Sequence, residues 1–461
     1  MTATKKSGSG FALAQRLGRS LMLPIATLPV AGLLNRFGAA DVLGADGVSK
    51  LSGFHWVQPI ADVFAAAGGT IFGHLPLLFA VGVAIGFARR SDGSTALAAV
   101  IGYITYEAVT AANTPFARQF GAGGEIREEH TINYGVLAGI LIGILAAVLY
   151  QKYYRIKLPP YLAFFGGRRF VPIITAFASI ILAFALAVVY PAFNWAINEQ
   201  LGGWLMNAGT EAGFMGAFVG LVFGIINRLL IPFGLHHLLN SIPWFQIGSC
   251  TNTDGETFHG DIGCFFNGTG LDEAGVMSGQ WTGSFMTGFF PIMMFALPAA
   301  GYAFYRTARP ENRKAIGGAM VAVGLTAFLT GITEPIEFAF AYAAFPLYAV
   351  HAVLTGTSLF ITNLLGIKLG FNFSAGATDY LLSFGRGAQY SGGAWKVLLL
   401  IVIGLVYAAI YYVLVTFLIK KFDFPTPGRE KDGEGGDLIS SIADDGGEAE
   451  RKAEAKARAK K

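Results

Sequence analysis

Two carboxylates interrupt a long uncharged region of the chain. Residues 315–330 carry no charged side chain, and residues 338–363 carry none unless His351 is protonated. Glu334 and Glu337 stand between these runs. About 20 apolar residues are enough to cross a bilayer, and ionised side chains at that depth are costly and usually belong to a binding site or a transport pathway. The sequence therefore predicts a membrane protein with functional carboxylates in its interior.

The residues around Glu334 predict a break between two helices. Gly331 tolerates backbone angles that other residues avoid. Pro335 disfavours a helical conformation for the preceding residue and suits the first turn of a new helix. Glu334 is therefore predicted at a helix start, where the positive end of the helix dipole favours a negative charge. Irregular backbone at this depth must line a cavity or be packed in protein. Glu337 keeps two interpretations, a ligand-binding residue or a cap of the helix start.

Composition supports the membrane assignment. The chain has 461 residues, of which 54% are hydrophobic and 13% charged, and its mean hydropathy is +0.53. These values exclude an ordinary soluble globule. The net charge of only +4 gives no reason to expect a nucleic-acid partner. The two cysteines, Cys250 and Cys264, are expected to form neither a disulfide framework nor a metal site, and no cofactor is expected.

Ten apolar stretches are predicted to cross the membrane. They are residues 20–37, 71–88, 95–113, 134–150, 171–198, 212–230, 283–305, 314–330, 338–363 and 396–419. Clusters of Lys and Arg mark the cytoplasmic side, and the first six spans alternate with them when the N-terminus is inside. The alternation then fails, so residues 231–282 and 364–395 are expected to add re-entrant segments. The predicted fold is an all-α polytopic membrane protein with about ten transmembrane helices plus re-entrant hairpins.

The chain is expected to divide into four parts. Residues 1–19 form a cytoplasmic N-terminal segment, and residues 20–200 form an N-terminal membrane half. Residues 201–424 form a C-terminal membrane half that carries the polar candidate site. Residues 425–461 are rich in Gly, Asp, Glu and Lys and are predicted to be a disordered cytoplasmic tail. The protein is expected in a bacterial plasma membrane, with both termini on the cytoplasmic side.

Polar side chains gather in the second half of the chain. Besides the two glutamates, the candidates are Arg228, His236, His237, His259, Asp261 and Asn372. Such groups beside aromatic residues suit a sugar, because hydroxyls need directional donors and acceptors. A histidine near a hydroxyl could also take its proton. Each candidate also has a structural interpretation: a buried hydrogen-bonding histidine, or an arginine anchoring a span. His74 is a weaker candidate, His351 is interpreted as a core histidine, and His259 with Asp261 supplies too few ligands for a metal.

Five motifs together resemble one family. They are residues 21–26, 75–86, 158–169, 331–338 and 425–429. They are similar to the membrane-embedded IIC domain of the bacterial phosphoenolpyruvate-dependent sugar phosphotransferase system, glucose superfamily, over about residues 16–430. Residues 233–237, 244–246 and 258–262 look most like the N-acetylglucosamine branch.

The resemblance implies a transport-coupled reaction. Such a domain binds a sugar, N-acetylglucosamine or glucose, and presents its 6-hydroxyl to a phosphocysteine on a cytoplasmic IIB protein, which upstream phosphocarriers recharge. Glu334 matches the sugar-binding glutamate, and Arg228 and His236 match the arginine and histidine of that site. Glu334 and His236 are then the catalytic candidates, and His237 and Asn372 join the substrate contacts. The resemblance also implies a lipid-embedded homodimer whose N-terminal half forms the dimer scaffold.

The chain departs from many relatives after residue 428. The polar tail shows no IIB domain, so the phosphocysteine is expected on a separate protein. Three functional alternatives stay open at this point: a glucose- or maltose-type IIC permease, a proton-coupled secondary sugar transporter, and a membrane sugar sensor that does not transport.

Overall fold

The computed structural model describes the membrane region of the chain with several gaps. The described residues are 20–21, 24, 28–39, 42–45, 47–88, 92–112, 132–196, 200, 214–233, 236–252, 255, 257–268, 281–341 and 344–429. The predicted N-terminal segment and nearly all of the predicted tail lie outside them. The chain forms two compact units, residues 1–207 with 233–279 and residues 208–232 with 280–461. The four-part division predicted above remains a prediction.

The first unit consists of helices and one small hairpin. Its elements are α1 (Leu28–Gly38), α2 (Gln58–Gly73), α3 (Leu75–Phe87), α4 (Gly93–Ala112), α5 (Val136–Tyr153), α6 (Phe170–Phe193), α8 (His236–Phe245), β1 (Ser249–Thr251), β2 (Thr257–His259) and α9 (Gly260–Asn267). Helix α3 packs on α5, α4 packs on α6, and α8 packs on α9. β1 and β2 pair antiparallel with Cys250 opposite Phe258.

In its described residues, the second unit contains helices and no β-strand. Its elements are α7 (Phe214–Leu230), a π-helical turn (Pro291–Ala296), α10 (Leu297–Thr307), α11 (Arg313–Thr330), α12 (Glu334–Ala341), α13 (Phe345–Leu364), α14 (Ala377–Ser391) and α15 (Ala394–Phe422). Helix α7 packs closely on α13 because glycines lie at the contact. A Cβ atom at Gly224 would lie 2.9 Å from the backbone of Gly356, as expected where small residues let membrane helices approach.

The predicted all-α polytopic fold is confirmed. A helix lies in each of the ten predicted spans. Among the described residues, four helices are long and apolar enough to cross a membrane, namely Val136–Tyr153, Gly167–Ala196, Phe345–Leu364 and Ala394–Phe422. The count becomes five if His55–Gly73 and Leu75–Phe87, which meet at a 54° bend, form one broken span.

One predicted span was wrong as a single helix. The stretch 338–363 contains the end of α12 at Ala341 and the whole of α13 except its last residue. Ala344 has a non-helical backbone (φ −141°), and Pro346 lies in the first turn of α13. Proline disfavours helical geometry in the preceding residue and lacks the amide hydrogen that a continuous helix requires. The helix therefore restarts at Phe345.

In their described residues, the two segments expected to be re-entrant contain no helix long and apolar enough to cross the membrane alone. Helix α8 has 10 residues and α9 has 8, which at about 1.5 Å per residue gives at most about 15 Å, half of a hydrocarbon core of about 30 Å. In the other segment, residues 367–376 contain no helix, and α14 follows them. These lengths agree with partial crossings.

The two cysteines correct a sequence-based expectation. Cys250 on β1 and Cys264 on α9 form a disulfide. The chain has no other cysteine. The hairpin turn brings these residues together, so the bond fastens α9 to β1, the first strand of the hairpin. Neither sulfur is available as a free thiol.

Candidate functional site

The predicted site residues divide between the two units. The second unit holds Arg228, Glu334, Glu337 and Asn372. The first unit holds the remaining candidates, His74, His236, His237, His259 and Asp261.

The break between α11 and α12 has the predicted geometry. Gly331 ends α11 in the left-handed conformation (φ +74°), and its amide donates to the Ala327 carbonyl oxygen at 2.9 Å. The Ser374 hydroxyl donates to the Gly331 carbonyl oxygen at 2.9 Å. A Cβ atom at Gly331 would lie 2.6 Å from the Ser374 oxygen. A side chain at position 331 would therefore be strained by both the backbone angle and the close approach of the 372–376 segment.

Glu334 begins α12, as predicted from Gly331 and Pro335. Its side chain is half-buried, and Oε2 accepts a hydrogen bond from the Thr333 amide at 3.1 Å. The carboxylate also interacts electrostatically with Arg228 and Glu337. Because the described residues offer it no side-chain hydrogen-bond donor, this carboxylate keeps acceptor capacity for a ligand.

Glu337 forms a buried ion pair with Arg228. The Arg228 Nη1 atom donates to Glu337 Oε1 at 2.6 Å, and the two side chains are 3% and 0% exposed. The Thr333 hydroxyl donates to the same oxygen at 2.8 Å. The Tyr348 hydroxyl lies 3.1 Å from Glu337 Oε2 and 2.5 Å from the Arg228 carbonyl oxygen. The capping interpretation of Glu337 was therefore wrong, since its carboxylate binds a side chain 109 residues away.

Arg228 is held on a second side by an aromatic ring. Its guanidinium carbon lies 4.7 Å from the centre of the Phe289 ring, within the range of a cation–π interaction. Its Nε atom has no hydrogen-bond partner in the part of the chain that the structure describes. Arg228 is thus a buried, oriented cation whose Nε–H is left for a ligand.

His351 extends this buried cluster towards α15. Its Nε2 atom lies 3.6 Å from Glu337 Oε2, and its Nδ1 atom lies 2.8 Å from the Tyr411 hydroxyl. The sequence interpretation as a core histidine fits its burial but missed its contact with Glu337. A single histidine in an otherwise uncharged run was the available signal.

Asn372 lies in the non-helical segment before α14. Its backbone amide donates to Asp379 Oδ1 at 2.9 Å, which fixes the segment at the helix start. The Asn372 side chain is 4% exposed, yet neither its Nδ2 nor its Oδ1 atom has a hydrogen-bond partner among the described residues. Buried amides are almost always hydrogen-bonded. This amide therefore has one donor group and one acceptor that a bound ligand can satisfy.

The first-unit candidates occupy two places. His74 is exposed in the break between α2 and α3, where its Nδ1 atom lies 2.9 Å from the Thr70 carbonyl oxygen. His236 is buried at the first position of α8. His237 follows it, but its side chain lies outside the described residues.

His259 and Asp261 flank the start of α9. His259 is exposed and immediately precedes the helix, and Asp261 is fully buried in its first turn. Gly260 between them has φ +76°, and a Cβ atom there would lie 2.5 Å from the Phe245 backbone nitrogen. Because α8 packs on α9, His236, His259 and Asp261 belong to one local substructure.

Comparison with known proteins identifies the family. The family model described as "Phosphotransferase system, EIIC" matches residues 18–356. The chain belongs to the phosphotransferase system EIIC family. This confirms the resemblance inferred from the five motifs, and it makes the chain a component of phosphotransfer-coupled sugar uptake and a bacterial membrane protein.

Three curated relatives are similar to this EIIC chain over most of its length. The N-acetylglucosamine-specific EIIC component of Streptomyces coelicolor is 46% identical, with 95% of this chain and 97% of the relative covered. The N-acetylglucosamine-specific EIICBA component of Escherichia coli is 45% identical over 90% of this chain and 56% of its own length. The glucose-specific EIICBA component of Staphylococcus carnosus is 44% identical over 91% of this chain and 60% of its own. The chain thus spans little more than half of these two longer relatives.

Proposed function

We propose that this EIIC protein binds N-acetylglucosamine and carries it across the membrane while a phosphorylated IIB protein phosphorylates the 6-hydroxyl. Two N-acetylglucosamine-specific relatives at 45–46% identity support the sugar. The observation that carries a ligand site is the polar pair at the α11–α12 break, with Glu334 half-buried and the Asn372 amide buried and unpaired.

The residues have separate tasks in this proposal. Glu334 accepts hydrogen bonds from sugar hydroxyls, and Asn372 both donates and accepts. His236 orients the 6-hydroxyl and takes its proton. Arg228 donates through its unpaired Nε–H, while Glu337 holds the guanidinium in place. His237 is kept as a further substrate contact, and His74, His259 and Asp261 as weaker ones.

The phosphoryl group comes from a cysteine outside this EIIC region. The 6-hydroxyl oxygen attacks phosphorus, the phosphorus–sulfur bond of a phosphocysteine breaks, and the hydroxyl proton leaves to a base. Both cysteines of this chain, Cys250 and Cys264, form a disulfide. Neither can serve as the phosphocysteine, which supports a IIB donor recharged by upstream phosphocarriers. We also propose cytoplasmic termini and a homodimer in lipid.

Uptake into vesicles tests the reaction. Purified protein is reconstituted, and phosphorylated IIB is supplied on the cytoplasmic side with labelled N-acetylglucosamine on the other. We expect labelled sugar 6-phosphate inside, and none without phosphorylated IIB. Accumulation of free labelled sugar that needs no IIB and collapses with the proton gradient would instead support the proton-coupled alternative.

Glucose is the second candidate substrate. A glucose-specific relative is 44% identical, nearly as similar as the N-acetylglucosamine-specific ones. Competition decides between them: unlabelled N-acetylglucosamine should reduce labelled uptake at a lower concentration than glucose does. The reverse order would transfer the specificity to glucose.

A further inference from the structure

A cavity of about 420 Å³ lies in the first unit. It forms where the break between α2 and α3 meets the second half of α4 and the start of α5. Its lining includes Phe72, Tyr103, Tyr106, Glu107, Asn133 and Phe245. The volume is within the range of small-molecule sites, which is about 300–1,000 Å³. None of the residues assigned to the sugar site in the second unit contributes to it.

Two polar groups of this cavity have no partner. The Tyr106 side chain is 4% exposed, and its hydroxyl forms no hydrogen bond among the described residues. The neighbouring Glu107 carboxylate forms no hydrogen bond or ion pair with any described residue, and it interacts electrostatically with the Tyr106 phenol. By contrast, the Tyr134 hydroxyl donates to the Leu186 carbonyl oxygen at 2.9 Å. Leaving a buried hydroxyl unpaired costs free energy, so Tyr106 points to a ligand, and the exposed Glu107 carboxylate beside it is free to accept hydrogen bonds from that ligand.

The wall opposite these groups is held in a fixed shape. Asn133 Oδ1 accepts from the Gly135 amide at 2.8 Å, and Gly135 has φ +51°. The Gln246 side-chain amide donates to the Tyr134 carbonyl oxygen at 2.9 Å. A Cβ atom at Gly135 would lie 2.5 Å from that Gln246 nitrogen. A cavity whose wall is ordered in advance loses less entropy when it binds a ligand.

The lining chemistry fits a neutral sugar. A carboxylate accepts hydrogen bonds from hydroxyls, a phenol both donates and accepts, and rings such as Tyr103 and Phe245 offer apolar faces. We propose that this cavity is a second monosaccharide site, built from first-unit residues alone. This inference rests on the proposed function for its choice of sugar. With the proposed orientation, the ends of α4 and α5 that form the cavity face the outside of the cell.

Binding in a variant that lacks the first sugar ligand tests the proposal. Full-length protein carrying Glu334→Gln is placed in lipid nanodiscs, and N-acetylglucosamine binding is followed by saturation-transfer NMR, which detects weak complexes. We expect saturable binding to remain. Adding Glu107→Gln should weaken it by about tenfold, the value of a charged hydrogen bond, and adding Tyr106→Phe should weaken it by about fivefold. Glu311→Gln, an exposed carboxylate outside both sites, is the matched control and should change nothing.

Three outcomes would overturn the second site. Binding could vanish with Glu334→Gln alone, it could persist unchanged when Glu107→Gln and Tyr106→Phe are added, or glucosamine could bind in this background while N-acetylglucosamine does not. Failure of the proposed function looks different. In that case wild-type protein would form no sugar phosphate with phosphorylated IIB, whatever the binding to the Glu334→Gln variant.

Discussion

The buried cluster around Glu337 and the turn around Glu334 lie side by side in one unit but differ in how their polar groups are satisfied. In the cluster, Glu337 receives hydrogen bonds from Arg228 and Thr333. At the turn, the described residues give Glu334 only a backbone donor and give neither polar side-chain atom of Asn372 a hydrogen-bond partner. A buried carboxylate that is already paired stabilises the structure, whereas a carboxylate with unused acceptor capacity is available to a ligand. We therefore infer that Glu337 stabilises the fold and that Glu334 recognises the ligand.

Removing the Glu337 side chain should lower the stability of the protein more than any other change considered below. Glu337→Ala leaves the Arg228 guanidinium buried without its counter-charge, which costs about 3–5 kcal/mol. We expect a large drop in the unfolding temperature in detergent and poor yield. The double variant Arg228→Leu with Glu337→Met should recover most of the stability, because an apolar pair can replace a buried ion pair. If the single variant unfolds at the wild-type temperature, the cluster is not the structural support.

Removing the charge of Glu334 should instead affect binding. Glu334→Gln loses a charged acceptor worth about 1.5–3 kcal/mol to a hydroxyl donor, so N-acetylglucosamine affinity at the α11–α12 site should fall by about tenfold to 150-fold. The unfolding temperature should stay within a few degrees of wild type, since no side chain depends on this carboxylate. Calorimetric titration and thermal unfolding of the same preparation measure both. A stability loss comparable to that of Glu337→Ala would erase the distinction between the two glutamates.

The sequence could predict the turn but not the cluster behind it, for a physical reason. Gly331 and Pro335 act through their own backbone preferences, so the helix break and the place of Glu334 were predictable locally. Arg228 and Glu337 meet only because α7, α12 and α13 pack together, and no local pattern encodes a contact across 109 residues. The family resemblance supplied Arg228 as a site residue but not its partner.

The same contrast explains the other corrections. The restart of the helix at Phe345 had a local signal, Pro346, which the apolar character of the run 338–363 concealed. The disulfide had no such signal, because the register of the β1–β2 hairpin brings Cys250 towards α9 and Cys264. The unpaired state of the Asn372 amide likewise depends on what surrounds it in the folded unit.

Replacing Asn372 should lower sugar affinity without lowering stability, whereas replacing Glu337 should lower stability. Asn372→Leu removes a buried amide that forms no side-chain hydrogen bond in the part of the chain that the structure describes, so the free energy of unfolding should be unchanged or slightly larger. Sugar affinity should fall by about tenfold, as for the loss of one or two neutral hydrogen bonds. The control is Ser374→Ala, which removes the hydrogen bond to Gly331 and should cost about 1 kcal/mol of stability. Unchanged affinity in Asn372→Leu would remove this residue from the site.

A substitution at Tyr411, at the outer edge of the buried cluster, should lower stability by a smaller amount. Tyr411→Phe removes the hydroxyl that lies 2.8 Å from His351 Nδ1, a hydrogen bond worth about 1 kcal/mol. We expect a modest drop in the unfolding temperature and no change in sugar affinity beyond about twofold, because Glu337 and Phe289 still hold the Arg228 guanidinium in place. An affinity loss as large as that of Glu334→Gln would mean that the cluster takes part in recognition rather than support.

A partly exposed ion pair gives the smallest effect on stability and shows what burial contributes to the others. Asp92 lies 2.9 Å from the mostly exposed Arg168 and accepts a hydrogen bond from the Tyr150 hydroxyl at 3.0 Å. Burial raises the pKa of Asp92, but hydrogen bonds from Ser94 and Tyr150 and the Arg168 charge outweigh it, so the net pKa lies below the ordinary value. A depressed folded-state pKa contributes stability above the unfolded-state value of about 3.9, and that stability is lost as the pH falls through the folded-state pKa.

The expected size of this contribution is below about 1 kcal/mol, as for a solvent-screened pair. Thermal unfolding of wild type and Asp92→Asn should therefore differ slightly at pH 7, and the difference should shrink as the pH falls below about 4. Added salt should shrink it as well, whereas the effect of Glu337→Ala should be insensitive to salt because its ion pair is shielded from solvent. A difference between wild type and Asp92→Asn that grew on acidification would contradict the assigned direction of the pKa shift.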